Sequence, residues 1–304
     1  MTEQHVELPP APELTQDWID QRVYDLYDEY CHGRIDRRTF FAHAAVAVVG
    51  GLAMAQALIP NYAKAQTVSF TDSRIKASYV SYPSPGGTSG TMKGYLVRPT
   101  AGNGPYGAVL VVHENRGLNP YIEDTARAAA AAGFLALAPD GLSPVGGYPG
   151  NDDDGREMQS KLEQPKLRQD MLNSAKFIKA HQLSNGKLGV TGFCWGGGTT
   201  NWLATQLGAD MNAGAPYYGA AAPTDQVSKI KAPLLIHLAE TDQNINTLMP
   251  AYEAALKEHK VSHEIHTYPG TQHGFHNIST PRYQEAAAKL SWERTVAHFR
   301  KNLA

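Results

Sequence analysis

Short apolar runs and longer amphipathic stretches take turns along most of the chain, and their order predicts its architecture. Ala108-Val109-Leu110-Val111-Val112, Phe134-Leu135-Ala136-Leu137-Ala138 and Pro233-Leu234-Leu235-Ile236-His237-Leu238 are near-continuous apolar runs, the pattern of strands buried on both faces of a parallel sheet. Ile75 to Tyr82 alternates instead and ends at Pro83-Ser84-Pro85-Gly86-Gly87, which predicts a strand, a hairpin loop and a returning strand from Lys93 to Arg98. Lys187 to Thr191, Ala213 to Tyr218 and His263 to Tyr268 read as further strands. Helical spacing covers Ile122 to Ala132, Met171 to His181, Thr199 to Leu207, Ala251 to Glu258 and Arg282 to Arg300. Strands that alternate with helices imply right-handed crossovers and an α/β fold. Its central sheet is mostly parallel and flanked by helices, with functional loops at the C-terminal edge. The Gly/Asp-rich stretch from Asp140 to about Pro165 is expected to be a long loop, a lid or substrate-binding rim.

The first 66 residues read differently. Trp18, Ile19, Val23, Leu26 and Tyr27 recur at helical spacing in an acidic, aromatic stretch and predict a short amphipathic helix. Asp36-Arg37-Arg38-Thr39-Phe40-Phe41, the Ala/Val/Gly-rich stretch from Ala42 to Ile59 and then Ala63-Lys64-Ala65 together resemble a twin-arginine export signal. His43 and Gln56 interrupt that stretch, which is too rich in small residues for a stable membrane span. Export places the protein in the periplasm. The competing reading is a helical arm that packs on the body or on a second subunit, giving a homodimer, in a cytoplasmic protein. The expected division is therefore an N-terminal extension over 1–66 and one α/β domain over 67–304.

Composition narrows the partners. With 304 residues, 42% hydrophobic and 18% charged, the chain suffices for one large domain plus an extension. A net charge of -2 offers no electrostatic case for nucleic acid or an anionic membrane. The two cysteines, Cys31 and Cys194, lie in unlike contexts and suggest neither a disulfide framework nor a paired-cysteine zinc site.

Cys194 carries the candidate chemistry. Gly192-Phe193-Cys194-Trp195-Gly196 stands between a predicted strand and a predicted helix, the arrangement of a nucleophile elbow. Glycines on both sides relieve the crowding of a strained turn, and a helix N-terminus favours the thiolate. The acid and base follow in the order such an elbow requires: Asp242 past the strand that ends at Leu238, and His273 past the strand that ends at Tyr268. Glu240 is the weaker candidate for the acid. His113-Glu114-Asn115-Arg116-Gly117 leaves the strand Ala108–Val112, so the backbone N–H groups of Asn115 and Trp195 are expected to bind a developing oxyanion. Glu114 is harder to place, because a carboxylate near a thiolate is repulsive unless protonated or turned away, and an ion pair with Arg116 or a loop hydrogen bond is the competing reading. Arg116, Arg156, Tyr148 and the Trp195 side chain are candidates for binding substrate. His263, His266, His273 and His276 suggest a metal site only superficially, since strand alternation sends His263 and His266 to opposite faces; neither metal nor cofactor is expected.

Gly192-Phe193-Cys194-Trp195-Gly196-Gly197, the Glu114 segment, Asp242 and His273-Gly274-Phe275 together resemble the dienelactone hydrolase family, carboxymethylenebutenolidase-like members of the α/β-hydrolases, over roughly Thr67 to Ala304. The resemblance implies an α/β-hydrolase fold and a Cys194-Asp242-His273 triad. It also implies that Glu114 holds or activates the resting thiol, and that the enzyme hydrolyses a small ester or lactone. The family's substrate is a cyclic enol-lactone whose carboxylate is bound by arginines. Here the chain reads His276-Asn277-Ile278-Ser279 just past His273, without the family's arginine, which leaves Arg116, Arg156 or Arg282 as substitutes. Two other classes remain: a thiol redox or peroxide-responsive protein, with Cys31 as its resolving cysteine, and a non-catalytic binding module.

Overall fold

The computed structural model describes residues 20–31, 34–49, 51–58 and 66–304. The chain divides into two compact units, Met1–Pro60 and Asn61–Ala304. In the first, α1 (Gln21–Cys31), α2 (Arg37–Ala47) and α3 (Gly51–Ala57) gather an aromatic cluster in which Phe40 lies 5.6 Å from Tyr27 and 5.3 Å from Tyr30. Asp36 caps α2 by accepting from Thr39 N at 2.7 Å, so Arg37 and Arg38 form its first turn. Among the described residues no helix is long and apolar enough to cross a membrane. Trp18, Ile19 and the Ala63–Ala65 signature lie outside the described residues, as does the Cys31 side chain.

The second unit is built on an eight-stranded sheet. β1 (Ile75–Ser84) and β2 (Gly90–Pro99) form an antiparallel hairpin. β3 (Tyr106–Val112), α4 (Pro120–Ala131), β4 (Leu135–Asp140), α5 (Asp152–Ser160), α6 (Gln164–Lys179), β5 (Ser184–Phe193) and α7 (Trp195–Leu207) follow. β6 (Ala213–Tyr217), β7 (Leu234–Ala239), α8 (Gln243–Asn246), α9 (Met249–Glu258), β8 (His263–Tyr268) and α10 (Glu285–Leu303) complete it. The strand order is β1-β2-β4-β3-β5-β6-β7-β8, with β2 antiparallel to both its neighbours, β1 and β4, and every later pair parallel, which is the α/β-hydrolase arrangement. The unbroken apolar runs are the central strands because both sheet faces are covered. Leu110, Val112, Leu137 and Val190 face one core, and Val109, Val111, Ala136 and Phe193 face the other.

Two expectations need correction. The segment Asp140–Pro165 is not one loop: α5 occupies Asp152–Ser160, and Pro165 opens α6 rather than closing a loop. The Asn151 side chain accepts from Asp154 N at 2.9 Å, and three aspartates fill the first turn, where the helix dipole favours negative charge. The last helix begins at Glu285, because Gln284 caps it by accepting from Ala287 N at 3.1 Å, so Arg282 lies in the preceding loop.

Candidate active site

β5 runs into Cys194, whose φ of 55° and ψ of −115° make the strained turn before α7. Its N–H donates to Tyr217 O at 3.2 Å on β6, and its carbonyl accepts from Gly198 N at 3.1 Å in α7. A side chain at Gly192 would collide with Gly196 O, and one at Gly196 with the Val112 and His113 carbonyls. Only glycines let the elbow close this tightly against β3.

The other strand ends converge on the same sheet edge. Asp242 leaves β7 and caps α8, while its second oxygen accepts from His273 Nδ1 at 2.6 Å; both side chains are buried. The carboxylate fixes the proton on Nδ1 and leaves Nε2 as the acceptor nitrogen of the ring. Glu240 instead accepts from Gly270 N at 2.8 Å near the surface.

The segment after β3 is held from several directions. His113 accepts from Gly141 N at 3.1 Å through Nε2, so its Nδ1–H donates to Glu114 O at 2.5 Å. Burial lowers its pKa to about 4, and its ring stacks on Trp195 at 5.5 Å. The Glu114 carboxylate is buried and accepts from Asn277 Nδ2 at 3.2 Å. Burial raises its pKa, while Arg116, Arg282 and His273 act against that rise. Arg116 turns away from Glu114 and pairs with Asp152 at 2.6 Å, both side chains being buried. Tyr148 donates to the other Asp152 oxygen at 3.0 Å, and Gly117 N donates to Gln159 at 3.0 Å. α5 is thereby clamped onto the segment that carries Asn115. Arg156 is half-buried on α5, and the Trp195 indole donates to Gln164 at 3.2 Å. The Asn115 and Trp195 backbones belong to two abutting segments, and Trp195 N, at the first position of α7, has no intrahelical acceptor.

The structure thus brings Cys194, Asp242, His273 and the Glu114–Arg116 segment to one edge of the sheet. Arg116 and Tyr148 are engaged by Asp152. Sequence reasoning missed Asn277, Asp152 and Tyr218, each defined by contacts distant in the chain. Arg282, buried in the loop before α10, lies over Gly274, where an added side chain would stand 2.8 Å from its guanidinium. Among the described residues no group of three or more His, Cys, Asp or Glu side chains is arranged to hold a metal ion. His263 pairs with Val261 O, His266 with Glu264 and His276 with Tyr121.

Known proteins share this chain's pattern. The dienelactone hydrolase family profile matches residues 92–303, and a YqhI-like profile matches residues 11–48. The chain is 62% identical over 112 residues to YghX, provisionally named a hydrolase fragment, of Escherichia coli K12, covering 37% of this chain and 95% of that protein. It is 30% identical over 234 residues to a Bradyrhizobium protein provisionally named 2-oxo-3-(5-oxofuran-2-ylidene)propanoate lactonase, covering 71% of this chain and 92% of that protein. A Klebsiella pneumoniae crystal structure, described as a candidate dienelactone hydrolase, superposes with a TM-score of 0.66 at 28% identity, covering 75% of this chain and 99% of that one. With this fold and these matches, the chain belongs to the dienelactone hydrolase family.

Proposed function

We propose that this hydrolase cleaves a small ester or lactone through a thioester formed on Cys194. The carrying observation is the buried 2.6 Å Asp242–His273 pair, at the same sheet edge as a cysteine held at φ 55° at a helix N-terminus. In this reading His273 Nε2 takes the thiol proton, and the sulfur attacks the carbonyl carbon. The oxyanion is received by the Asn115 and Trp195 N–H groups. Collapse breaks the C–O bond, and His273 returns the proton to the leaving oxygen. Water, deprotonated by His273, then cleaves the thioester, while Asp242 stabilises each imidazolium. Burial, which raises the Glu114 pKa and so favours its neutral form, limits repulsion of the thiolate.

Lactone cleavage draws further support from the Bradyrhizobium relative's name. A substrate carboxylate would meet Arg282, which lies over the His273 turn, rather than Arg116, which Asp152 engages. The N-terminal unit, in the export reading, is removed to leave a periplasmic protein that begins near Gln66. Mass spectrometry of the native periplasmic protein reads that end directly.

The test is hydrolysis of p-nitrophenyl acetate and a panel of small lactones by wild type and by Cys194→Ala. The expected result is a loss of about 10⁴-fold or more in kcat with the thiol removed. Retained turnover sinks the mechanism, and a thiol that turns nothing over yet reacts readily with peroxide favours the redox class.

A further inference from the structure

Tyr218 leaves β6 with φ 33°, a left-handed backbone that a bulky side chain rarely adopts. Two hydrogen bonds hold it there. Its N–H donates to His237 O at 2.7 Å, and the carbonyl of Tyr217 before it accepts from Cys194 N at 3.2 Å. The strain therefore belongs to the seam that ties the nucleophile strand to β6. The Tyr218 ring lies 4.9 Å from the His273 ring and 5.5 Å from Phe275. Its hydroxyl is within electrostatic reach of Glu114, Cys194 and Arg282.

The residue is fully buried, and beyond a weak interaction with the Tyr121 hydroxyl its own hydroxyl meets no partner in good hydrogen-bond geometry among the described residues. The Tyr121 hydroxyl stands beside it but is bonded to His276 Nδ1 at 2.8 Å. A buried donor without a well-formed hydrogen bond is destabilising, and strain of this kind concentrates where a structure is organised for function. The topology says which part of the reaction this donor serves. β3, with Asn115, flanks β5 on one side; β6, β7 and β8, with Tyr218 and His273, lie on the other. Oxyanion and leaving group fall on opposite sides of the nucleophile, and Tyr218 is on the side of the proton donor.

We propose that the Tyr218 hydroxyl is a catalytic hydrogen-bond donor to the leaving-group oxygen of the ester or lactone, an assignment that rests on Cys194 being the nucleophile. As the tetrahedral intermediate collapses, the C–O bond breaks and its electron pair moves onto the leaving oxygen. His273 transfers its proton to that oxygen. Tyr218 keeps its own proton and stabilises the growing charge.

The experiment compares ethyl acetate with p-nitrophenyl acetate, which deliver the same acyl group from a poor and a good leaving group. Both are assayed by kcat/KM, which reports acylation. Tyr218→Phe is expected to lose about tenfold or more on ethyl acetate and less than about threefold on p-nitrophenyl acetate. Equal losses on both esters, or no loss on ethyl acetate, overturn the proposal. 3-Fluorotyrosine placed at 218 alone keeps the shape and strengthens the donor, so it should match or exceed wild type on ethyl acetate; a rate as low as that of Tyr218→Phe overturns the assignment even if the phenylalanine variant folds poorly. Cys194→Ala, run alongside, tells the two readings apart: if it still cleaves p-nitrophenyl acetate the nucleophile fails, and Tyr218 with it.

Discussion

Among the described residues Glu114 forms no ion pair: Arg116 pairs with Asp152, and the Glu114 carboxyl accepts from the neutral Asn277 amide. Desolvation is the largest influence on it and disfavours the anion. In a site shared with a thiolate, each negative charge disfavours the other, so a neutral carboxyl and a reactive thiol are mutually consistent. Replacing Glu114 by Gln removes a charge that appears only as pH rises. The pH profile of Cys194 alkylation by iodoacetamide should therefore shift to lower pH in Glu114→Gln, and an unchanged profile would leave Glu114 a structural role. Stability carries the same sign. The folded pKa lies above the unfolded one, so the folded state holds the extra proton. Glu114's contribution is complete below the ordinary carboxylate range and is lost as pH rises through the raised value. Glu114→Gln should then be flatter in stability against pH over that interval, as read by urea unfolding.

The elements differ in how openly the sequence declares them. β3, β4 and β7 were legible because a strand covered on both faces needs an unbroken apolar run, and the hairpin because β1 alternates before a Pro/Gly loop. The meeting of Cys194, Asp242 and His273 at one sheet edge was legible for a related reason: each follows a readable strand. α5 was hidden. Asp152-Asp153-Asp154-Gly155-Arg156-Glu157-Met158-Gln159-Ser160 has almost no apolar stripe, because the face it buries meets polar groups, Arg116 and the Gly117 N–H. The Asn151 cap and the aspartates of the first turn were its local signals. The Asp152–Arg116 bridge shows what this element is for, since it fastens α5 to the segment that carries Asn115. Removing one partner strands a buried charge, so Asp152→Asn is expected to cost about 3–5 kcal/mol in stability. It should also lower kcat by loosening the Asn115 N–H. Asp152→Leu combined with Arg116→Met, which buries no charge, should recover most of the stability and little of the kcat. Equal recovery of both would mean that α5 is a brace without influence on the chemistry. Asn277 and Tyr218 escaped notice for a different reason, because neither belongs to a motif and both are defined by what the fold sets against them.

At the scale of the whole molecule, the larger unit buries three uncharged histidines in the walls around its elbow. His113 bridges β3 and β4; His237 joins Tyr268 at 2.9 Å and Thr295 at 3.0 Å; His276 bonds Tyr121 at 2.8 Å and packs against Phe193, 5.1 Å away. Burial holds the pKa of His113 to about 4 and that of His276 to about 3, and pushes His237 well down. Each is depressed relative to an unfolded imidazole near 6.5, so each contributes stability that is complete above that value and is lost as pH falls toward the folded pKa. Buried carboxyls such as Glu114 and Asp140 carry the opposite sign, so the total slope mixes both and one curve does not separate them. A difference between two proteins does. His276→Gln removes one titrating group and can keep a hydrogen bond to Tyr121, so its stability should fall less steeply than that of wild type below about pH 6. The gap between the two curves should change by about 1.4 kcal/mol per pH unit, the contribution of one proton. Urea unfolding at half-unit steps between pH 7 and pH 4 measures that gap. Parallel curves would mean that His276 titrates in the folded protein as it does in the unfolded chain, which its apolar surroundings of Phe193, Tyr217 and Trp292 argue against.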